Sequence, residues 1–135
     1  MEASDRIVLD TDVLVASLRG KDDVLRELAQ SSLATSIISA FELFHGAFKS
    51  RESETNVSAT RGLLSSLELL GVDLKVAERA GETLAEIQKL GRSVEIRDLL
   101  IGCTAREKGY SVLTYNGKHF RAIPGLRVID RPHPR

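Results

Sequence analysis

Two hydrophobic patterns alternate along the chain. Short unbroken apolar runs are typical of strands covered on both faces, and apolar residues that recur every three or four positions are typical of helices. The runs predict strands at Arg6–Asp10, Leu33–Ile38, Val72–Leu74, Ser111–Thr114 and Arg127–Asp130. The periodic segments predict helices at Asp12–Arg19, Asp22–Gln30, Ser39–Lys49, Glu54–Leu70, Val76–Gly91 and Glu95–Lys108. This alternation predicts an α/β fold in which helical crossovers join parallel strands and helices cover both faces of the sheet.

Local signals support these boundaries. Four predicted helices are followed by a glycine, which commonly ends a helix in a left-handed conformation: Gly20, Gly71, Gly91 and Gly109. Ser39 and Glu42 have the spacing of a capping box, in which the serine begins the helix and the glutamate bonds back to it. The same helix carries three phenylalanines on one face: Phe41, Phe44 and Phe48.

The composition limits the class of protein. A chain of 135 residues with 42% hydrophobic and 28% charged residues suits one soluble domain, which we expect at residues 1–130, followed by a frayed tail at 131–135. No apolar run approaches the roughly 18 residues of a membrane helix, and the early acids Glu2 and Asp5 do not fit a signal peptide. Cys103 is the only cysteine, so no internal disulfide can form. We therefore expect a cytoplasmic protein without a membrane partner.

The charge balance restricts how the chain could bind nucleic acid. Nineteen basic residues are balanced by nineteen acidic ones, so the basic field of a nonspecific nucleic-acid binder is absent. Aromatic residues make up 4% of the chain, without tryptophan, which argues against a base-stacking platform. Any contact with nucleic acid is therefore expected to be local.

Two aspartates occur where the first strand meets the first helix. Asp10 ends the apolar strand, although carboxylates are among the groups that proteins bury least. Asp12 comes at the start of the following helix, where a carboxylate can cap backbone amides and meet the positive end of the helix dipole. A capping role therefore explains Asp12 better than Asp10.

Asp98 begins a helical segment that has no polar face. Apolar side chains occur all round the helix in the stretch DLLIGCTA, which indicates a buried helix. Gly102 and Ala105 share the face of Asp98 and are small enough to leave room beside it. A buried carboxylate has to be paired, protonated or bound to a metal. An ion pair with Arg97 or Arg106 is the alternative to a metal.

Other polar residues lie near the ends of predicted elements. Asn116 follows the strand that ends at Thr114, and Glu42 lies near the start of its helix. The structural alternatives are a turn at Asn116, and a capping box or a solvated helix face at Glu42. In a parallel α/β sheet the strand ends and the following helix starts share one rim. We therefore expect four residues to converge there: Asp10, Glu42, Asp98 and Asn116.

Such a cluster has the ligand chemistry of a divalent metal site. Carboxylate and amide oxygens suit Mg²⁺ or Mn²⁺. Carboxylates gathered without a cation would repel one another and raise one another's pKa. His45, His119 and Cys103 lack the spacing of a zinc site.

Together these motifs resemble the PIN-domain family, and most closely its small VapC-type toxin ribonucleases. The family's opening strand and its Asp-Thr pair are matched by IVLDTDVLV, and the segment around its second acid is matched by SIISAFELFHGA. Its third motif and last strands are matched almost continuously by IRDLLIGCTAREKGYSVLTYNGKHFRAIPGLRVI. The resemblance runs nearly end to end, and it implies a three-layer α/β sandwich with a short parallel central sheet.

The resemblance also implies the roles of individual residues. Asp10, Glu42 and Asp98 match the family's acidic triad and are the implied ligands of Mg²⁺, or of Mn²⁺ in its place. Asn116 matches a fourth catalytic position, which is aspartate in many members. Supporting polar contacts are implied for Thr11, Asp12 and Thr114. Contacts with RNA phosphates are expected from Lys49, Arg97, Lys118 and Arg121.

The implied function is that of a Mg²⁺-dependent endoribonuclease, the toxin of a VapBC-type toxin–antitoxin system. The metal and a carboxylate would activate a water for in-line attack on an RNA phosphodiester, and the metal would offset charge on the leaving oxygen. The implied partners are RNA, a second copy of the chain in a homodimer, and a cognate VapB-type antitoxin that holds the enzyme inactive.

Two other functions explain the same residues less well, and a third is the alternative to a nuclease. A haloacid-dehalogenase-type phosphatase also opens with a strand and Asp-x-Asp, but the register after Asp12 fails and no late acidic pair follows SVLT. A receiver domain needs a phosphoacceptor aspartate on a middle strand, and no aspartate lies between Asp23 and Asp73. A PIN-like module that binds RNA or protein without cleavage is consistent with Asn116 and with the zero net charge.

Overall fold

A five-stranded parallel sheet organises residues 5–135, the part of the chain that the computed structural model describes. Its strands are β1 (Arg6–Leu9), β2 (Ser32–Ser36), β3 (Glu68–Leu70), β4 (Ser111–Thr114) and β5 (Val128–Asp130). They lie in the order β3-β2-β1-β4-β5, and every neighbouring pair is parallel. The helices are α1 (Thr11–Leu18), α2 (Val24–Glu27), α3 (Ile37–Phe48), α4 (Ser53–Ser65), α5 (Leu74–Lys89) and α6 (Ile96–Glu107), and a 3-10 turn spans Gly117–His119.

β1 lies in the middle of the sheet, and its side chains alternate between two hydrophobic cores. Val8 packs with residues of α5 and α6 on one face, whereas Ile7 and Leu9 pack with residues of α1 to α4 on the other. All three side chains are fully buried. Because both faces are covered, the strand reads as an unbroken apolar run. The prediction of an α/β fold with a parallel sheet between two layers of helices is confirmed.

α6 is buried as the sequence predicted. Four of its apolar residues are at most 3% exposed: Leu99, Ile101, Cys103 and Ala105. A Cβ added at Gly102 would lie 2.4 Å from Cδ1 of Ile123, so the glycine allows α6 to approach the loop before β5. Ile123 therefore occupies the space that the absent side chain of Gly102 leaves. No helix within residues 5–135 is long and apolar enough to cross a membrane.

α3 begins two residues earlier than predicted. Ser36 takes the N-cap position, where its Oγ accepts a hydrogen bond from the Ser39 N–H at 3.0 Å. Ser39 is therefore inside the helix and fully buried, and the predicted capping box of Ser39 and Glu42 is wrong. Both serines can act as a cap, and the end of β2 decides which of them is used.

The largest difference from the sequence prediction lies before Gly71. α4 ends at Ser65, and the residues of β3 pair with β2 instead of continuing the helix. The predicted strand Val72–Leu74 is wrong, because pairing with the sheet outweighs the helical pattern of the preceding residues. Of the four glycines expected to end helices, three have a positive φ: Gly20, Gly91 and Gly109. The second helix is also shorter than predicted, since only the four residues of α2 are helical.

The phenylalanines of α3 differ in their environment. Phe44 packs against the core beside α1 to α4, whereas Phe41 and Phe48 are 69% and 63% exposed. Ile37, at the start of the same helix, is 48% exposed. α3 thus presents apolar surface of the kind that often contacts another protein.

The C-terminal tail is tied to the body of the protein, so the expectation that it is frayed is wrong. Arg131 forms ion pairs with Asp22 at 2.7 Å and with Glu27 at 3.0 Å. The ring centroids of His133 and Tyr115 are 4.5 Å apart, and the Tyr115 hydroxyl donates a hydrogen bond to Asp22. The Asp22 side chain is only 3% exposed. One buried carboxylate therefore anchors the tail.

We expect Arg131→Ala to destabilise the protein. The substitution leaves the buried Asp22 carboxylate without its counter-charge, which should lower the free energy of unfolding by about 2 kcal/mol. Chemical denaturation measures the difference. Arg135→Ala removes an exposed arginine of the same tail and should change the stability by less than about 0.5 kcal/mol. Equal losses in the two variants would contradict the anchoring role of Asp22.

The same carboxylate should make stability depend on acid pH. The hydrogen bond from Arg131, followed in size by the opposing effect of burial and then the bond from Tyr115, leaves the pKa of Asp22 below its ordinary value. The unfolded chain therefore takes up the proton first as the pH falls, so the stabilisation is complete above the ordinary pKa of about 4 and is lost below it. Denaturation of wild type and Asp22→Asn from pH 6 to pH 2 should show a stability difference that shrinks with acid. A difference that is constant over this range would rule the explanation out.

Candidate active site

Asp10 lies at the carboxyl edge of the sheet, where β1 passes directly into α1. Its Oδ1 accepts a hydrogen bond from the Thr11 N–H, and its Oδ2 accepts one from the Thr114 hydroxyl, both at 2.8 Å. The side chain is 6% exposed. Asp10 is also the N-cap residue of α1, and Asp12 follows in the first turn, where its carboxylate accepts a backbone N–H as the sequence predicted. Since strand end and helix start coincide, both backbone elements fix this carboxylate.

Asp12 and Asn116 form a pair beside Asp10. The Asp12 carboxylate accepts hydrogen bonds from the Val13 N–H at 2.9 Å and from the Asn116 side-chain amide at 3.0 Å. The backbone N–H of Asn116 donates to the Thr114 hydroxyl at 3.0 Å. Burial, and then the charge of Asp10, raises the pKa of Asp12. The Asn116 amide thus orients Asp12, and the hydroxyl of Thr114 connects Asn116 to Asp10.

Glu42 reaches the same place from α3. Its Oε1 accepts a hydrogen bond from the Thr11 hydroxyl at 2.6 Å. The hydroxyl of the buried Ser39 lies 2.8 Å from that of Thr11. Sequence reasoning missed Ser39 in the site because it assigned this residue to the helix cap. The available signal was its spacing of three residues from Glu42, which places both on one helix face.

Asp98 lies in the first turn of α6, and its neighbour Arg97 contacts all three acids. The Arg97 guanidinium donates to Asp98 Oδ1 at 2.5 Å, to Glu42 Oε2 at 2.7 Å and to Asp10 Oδ1 at 3.1 Å. The ion pair considered as the alternative to a metal is therefore present with Arg97. Arg106, the other candidate, bonds elsewhere.

Burial acts to raise the pKa of Glu42 and of Asp98, and the charge of Arg97, which opposes this effect, helps to outweigh it at Glu42 but not at Asp98. Burial has the largest effect at Asp98 and raises its pKa, although the hydrogen bond and charge of Arg97 oppose it. At Glu42, burial also acts upward, but hydrogen bonds from Arg97 and Thr11 together hold the pKa below its ordinary value. Three carboxylates share one guanidinium, so the cluster attracts further positive charge.

The donor set fits a hard divalent cation in its chemistry. All three acids supply carboxylate oxygens, and Asp10 and Asp98 are both buried. In the observed arrangement, no group of three or more acidic, histidine or cysteine side chains in the described chain is placed to hold a metal directly. The Arg97 guanidinium lies among these oxygens instead.

Two cavities flank the acids. The larger has a volume of about 540 Å³ and is lined by Asp10 and, from the tail, by His133. The smaller has a volume of about 460 Å³ and is lined by Asp98 and Lys118. His119 lines both. Asp10 therefore borders one cavity and Asp98 the other.

The bases predicted to bind RNA lie in different environments. Arg97 borders the larger cavity and Lys118 the smaller. Arg121 is paired with Asp130 on the surface, and Lys49, which follows α3, lines neither cavity. Two bases missed by sequence reasoning line the larger cavity: Arg19 and Lys21. They follow the end of α1 in no recognisable motif, so only the folded structure shows that they border this cavity.

Comparison with known proteins gives one consistent family. The model of the PIN domain matches residues 7–126. The tRNA(fMet)-specific endonuclease VapC of Salmonella typhimurium is 34% identical over 128 residues, which cover 93% of this chain and 97% of the relative. The crystal structure of DNA-bound VapBC from Salmonella typhimurium matches with a TM-score of 0.84 at 32% identity, covering 93% of this chain and 98% of that one. VapBC2 from Rickettsia felis, bound to a promoter DNA fragment, matches with a TM-score of 0.83 at 30% identity and the same coverage.

We expect Thr114→Val to loosen the cluster. Valine keeps the shape but removes the donor to Asp10 and the acceptor for the Asn116 N–H, which should lower the free energy of unfolding by about 1–2 kcal/mol. Thr104→Val is the matched control, because the hydroxyl of this equally buried threonine, among the described residues, bonds to a carbonyl one turn earlier in its own helix. Its expected loss is below about 0.5 kcal/mol. Chemical denaturation of both variants tests the difference, and a smaller loss at position 114 would contradict it.

Proposed function

The chain belongs to the PIN-domain family and, within it, to the VapC toxin endoribonucleases, and on this basis we propose that it hydrolyses RNA phosphodiester bonds with Mg²⁺ as its cofactor. One observation carries the proposal. The carboxylates of Asp10, Glu42 and Asp98 come from three separate elements. They meet around the guanidinium of Arg97 at the carboxyl edge of the sheet. Because the three carboxylates repel one another, their proximity is typical of a site that binds a cation.

Asp10, Asp98 and Glu42 would hold the metal, with Mn²⁺ as a possible substitute for Mg²⁺. When bound, such a metal supplies an activated water and neutralises charge on the leaving oxygen. The chain's own contribution is position. Thr114 and the Thr11 amide fix the Asp10 carboxylate, while the Thr11 hydroxyl holds Glu42.

The remaining polar residues support these roles. Asn116 acts by holding Asp12 beside Asp10, which keeps a fourth carboxylate at the rim. Lys118 in the smaller cavity, and Arg19 and Lys21 in the larger one, would contact RNA phosphates on either side of the acids. Lys49 and Arg121 would contact the RNA farther from the cleaved bond.

The proposed partners are RNA, a cognate VapB-type antitoxin and a second copy of the chain. The solved relatives are VapBC complexes, which supports a toxin–antitoxin pair for this chain as well. The exposed apolar residues of α3, Ile37, Phe41 and Phe48, offer a surface for a protein partner. The cytoplasm, where RNA and Mg²⁺ are both abundant, is the proposed compartment.

The function is tested by RNA cleavage with the purified chain, free of any antitoxin. Initiator tRNA, the substrate in the name of the Salmonella relative, is the first RNA to try, followed by total RNA. We expect cleavage with Mg²⁺, none with excess EDTA, and a loss of about 100-fold or more in Asp98→Asn. Gel electrophoresis of end-labelled RNA measures the rates.

Asp23→Asn is the control for this substitution. Asp23 is an exposed aspartate that, within residues 5–135, makes no side-chain capping bond, so its removal should leave the rate unchanged. Equal cleavage by wild type and Asp98→Asn would contradict the assigned site. Binding of RNA without cleavage of any RNA by the wild type would instead favour a PIN-like binding module.

A further inference from the structure

Arg97 contacts the carboxylate oxygens that a divalent cation would need. Its guanidinium takes one oxygen of each acid: Asp98 Oδ1, Glu42 Oε2 and Asp10 Oδ1. Its Nη2 also donates to the Thr11 hydroxyl at 3.0 Å. Because Arg97 precedes Asp98 directly, the positive charge and one of the acids arrive on the same turn of α6. The guanidinium and a metal therefore require the same atoms.

The acidic cluster depends on Arg97 for its counter-charge. Within residues 5–135, the three acids form ion pairs with this arginine and with no other base. Removing its charge would leave three carboxylates close together, two of them nearly buried, with their mutual repulsion unopposed. The contact is thus an electrostatic support of the folded protein.

Arg97 is much more exposed than the two aspartates of the cluster. Its side chain is 35% exposed, close to the 30% of Glu42, whereas those of Asp10 and Asp98 are each 6% exposed. It borders the larger cavity, into which the guanidinium can withdraw. Asp10 meanwhile stays in place, because it is held by Thr114 and by the start of α1.

We propose that Arg97 is a built-in competitor of the metal, which closes the acidic cluster in the metal-free protein and has to leave it before Mg²⁺ binds. This inference rests on the proposed metal-dependent nuclease function. The apparent metal affinity is then reduced by the fraction of molecules in which Arg97 occupies the cluster. Arg97 thereby sets the Mg²⁺ concentration at which the site fills.

Calorimetric titration with Mn²⁺ tests the competition in the full chain. The variants are Arg97→Gln and the control Arg92→Gln, which removes an exposed arginine five residues earlier. We expect Arg97→Gln to bind Mn²⁺ about tenfold more tightly than wild type and to melt at a lower temperature without metal. Arg92→Gln should match wild type in both measurements. These two opposite changes identify a competitor, since a merely structural role would weaken metal binding as well.

Two results would overturn the inference in different ways. Mn²⁺ binding by folded Arg97→Gln that is equal to or weaker than that of wild type removes the competition and leaves the nuclease function standing. Absence of Mn²⁺ binding in wild type and in Arg97→Gln removes the metal-dependent function together with the inference. The melting curve of each variant shows whether it is folded.

A measurement on the wild type covers the case in which Arg97→Gln does not fold. The Nε–H of Arg97 donates to Glu42 at 2.7 Å, so its NMR signal should exchange slowly with water in the metal-free protein. Saturating Mg²⁺ should make that exchange fast, because the guanidinium has left the cluster. The signal is assigned through its own side-chain connectivities. Exchange that stays slow at saturating Mg²⁺ would show that Arg97 is not displaced.

Discussion

The gathering of three negative charges at one edge of the sheet is the constraint on which the rest of the site depends. Carboxylates repel one another, and burial makes their charged forms costly. They can be kept together only by a rigid backbone and a nearby positive charge. The sheet provides the first, because β1 is paired on both sides and passes into α1 without a loop. Arg97 provides the second. The two hydrophobic cores therefore have to outweigh a repulsion that the fold itself creates.

The features that sequence could predict are those in which burial and local pattern agree. β1 and β5 match their predicted runs to within one residue, and β4 matches at both ends. α6 was recognisable as a buried helix because its own apolar residues occur on all of its faces. The convergence of Asp10, Glu42 and Asp98 followed from a general property of parallel sheets, whose strand ends share a rim with the following helices. The family resemblance then assigned these acids a common role, and the comparisons support that family.

The features that escaped prediction are of two kinds. In some, two neighbouring residues carry the same local signal, and in others the decisive contact joins residues far apart in sequence. Ser36 and Ser39 are equally good caps, and only the length of β2 selects the first. β3 is a strand because it pairs with the edge of β2, and its own sequence pattern does not predict this pairing. Sequence offered Arg97 as a partner of its neighbour Asp98, but its contacts with Glu42 and Asp10 span 55 and 87 residues. Such contacts are known only once the chain is folded.

The parallel pairing of β1 with β4 also determines when this site can exist. Thr114 and the Asp10 that it holds are 104 residues apart in the chain, and pairings between such distant segments are slow to form. During synthesis, Asp10 leaves the ribosome long before β4 has been made. A nascent chain therefore carries its acids without the neighbouring strand that orients them. The cell is exposed to an assembled site only after nearly all of the described sheet has been translated.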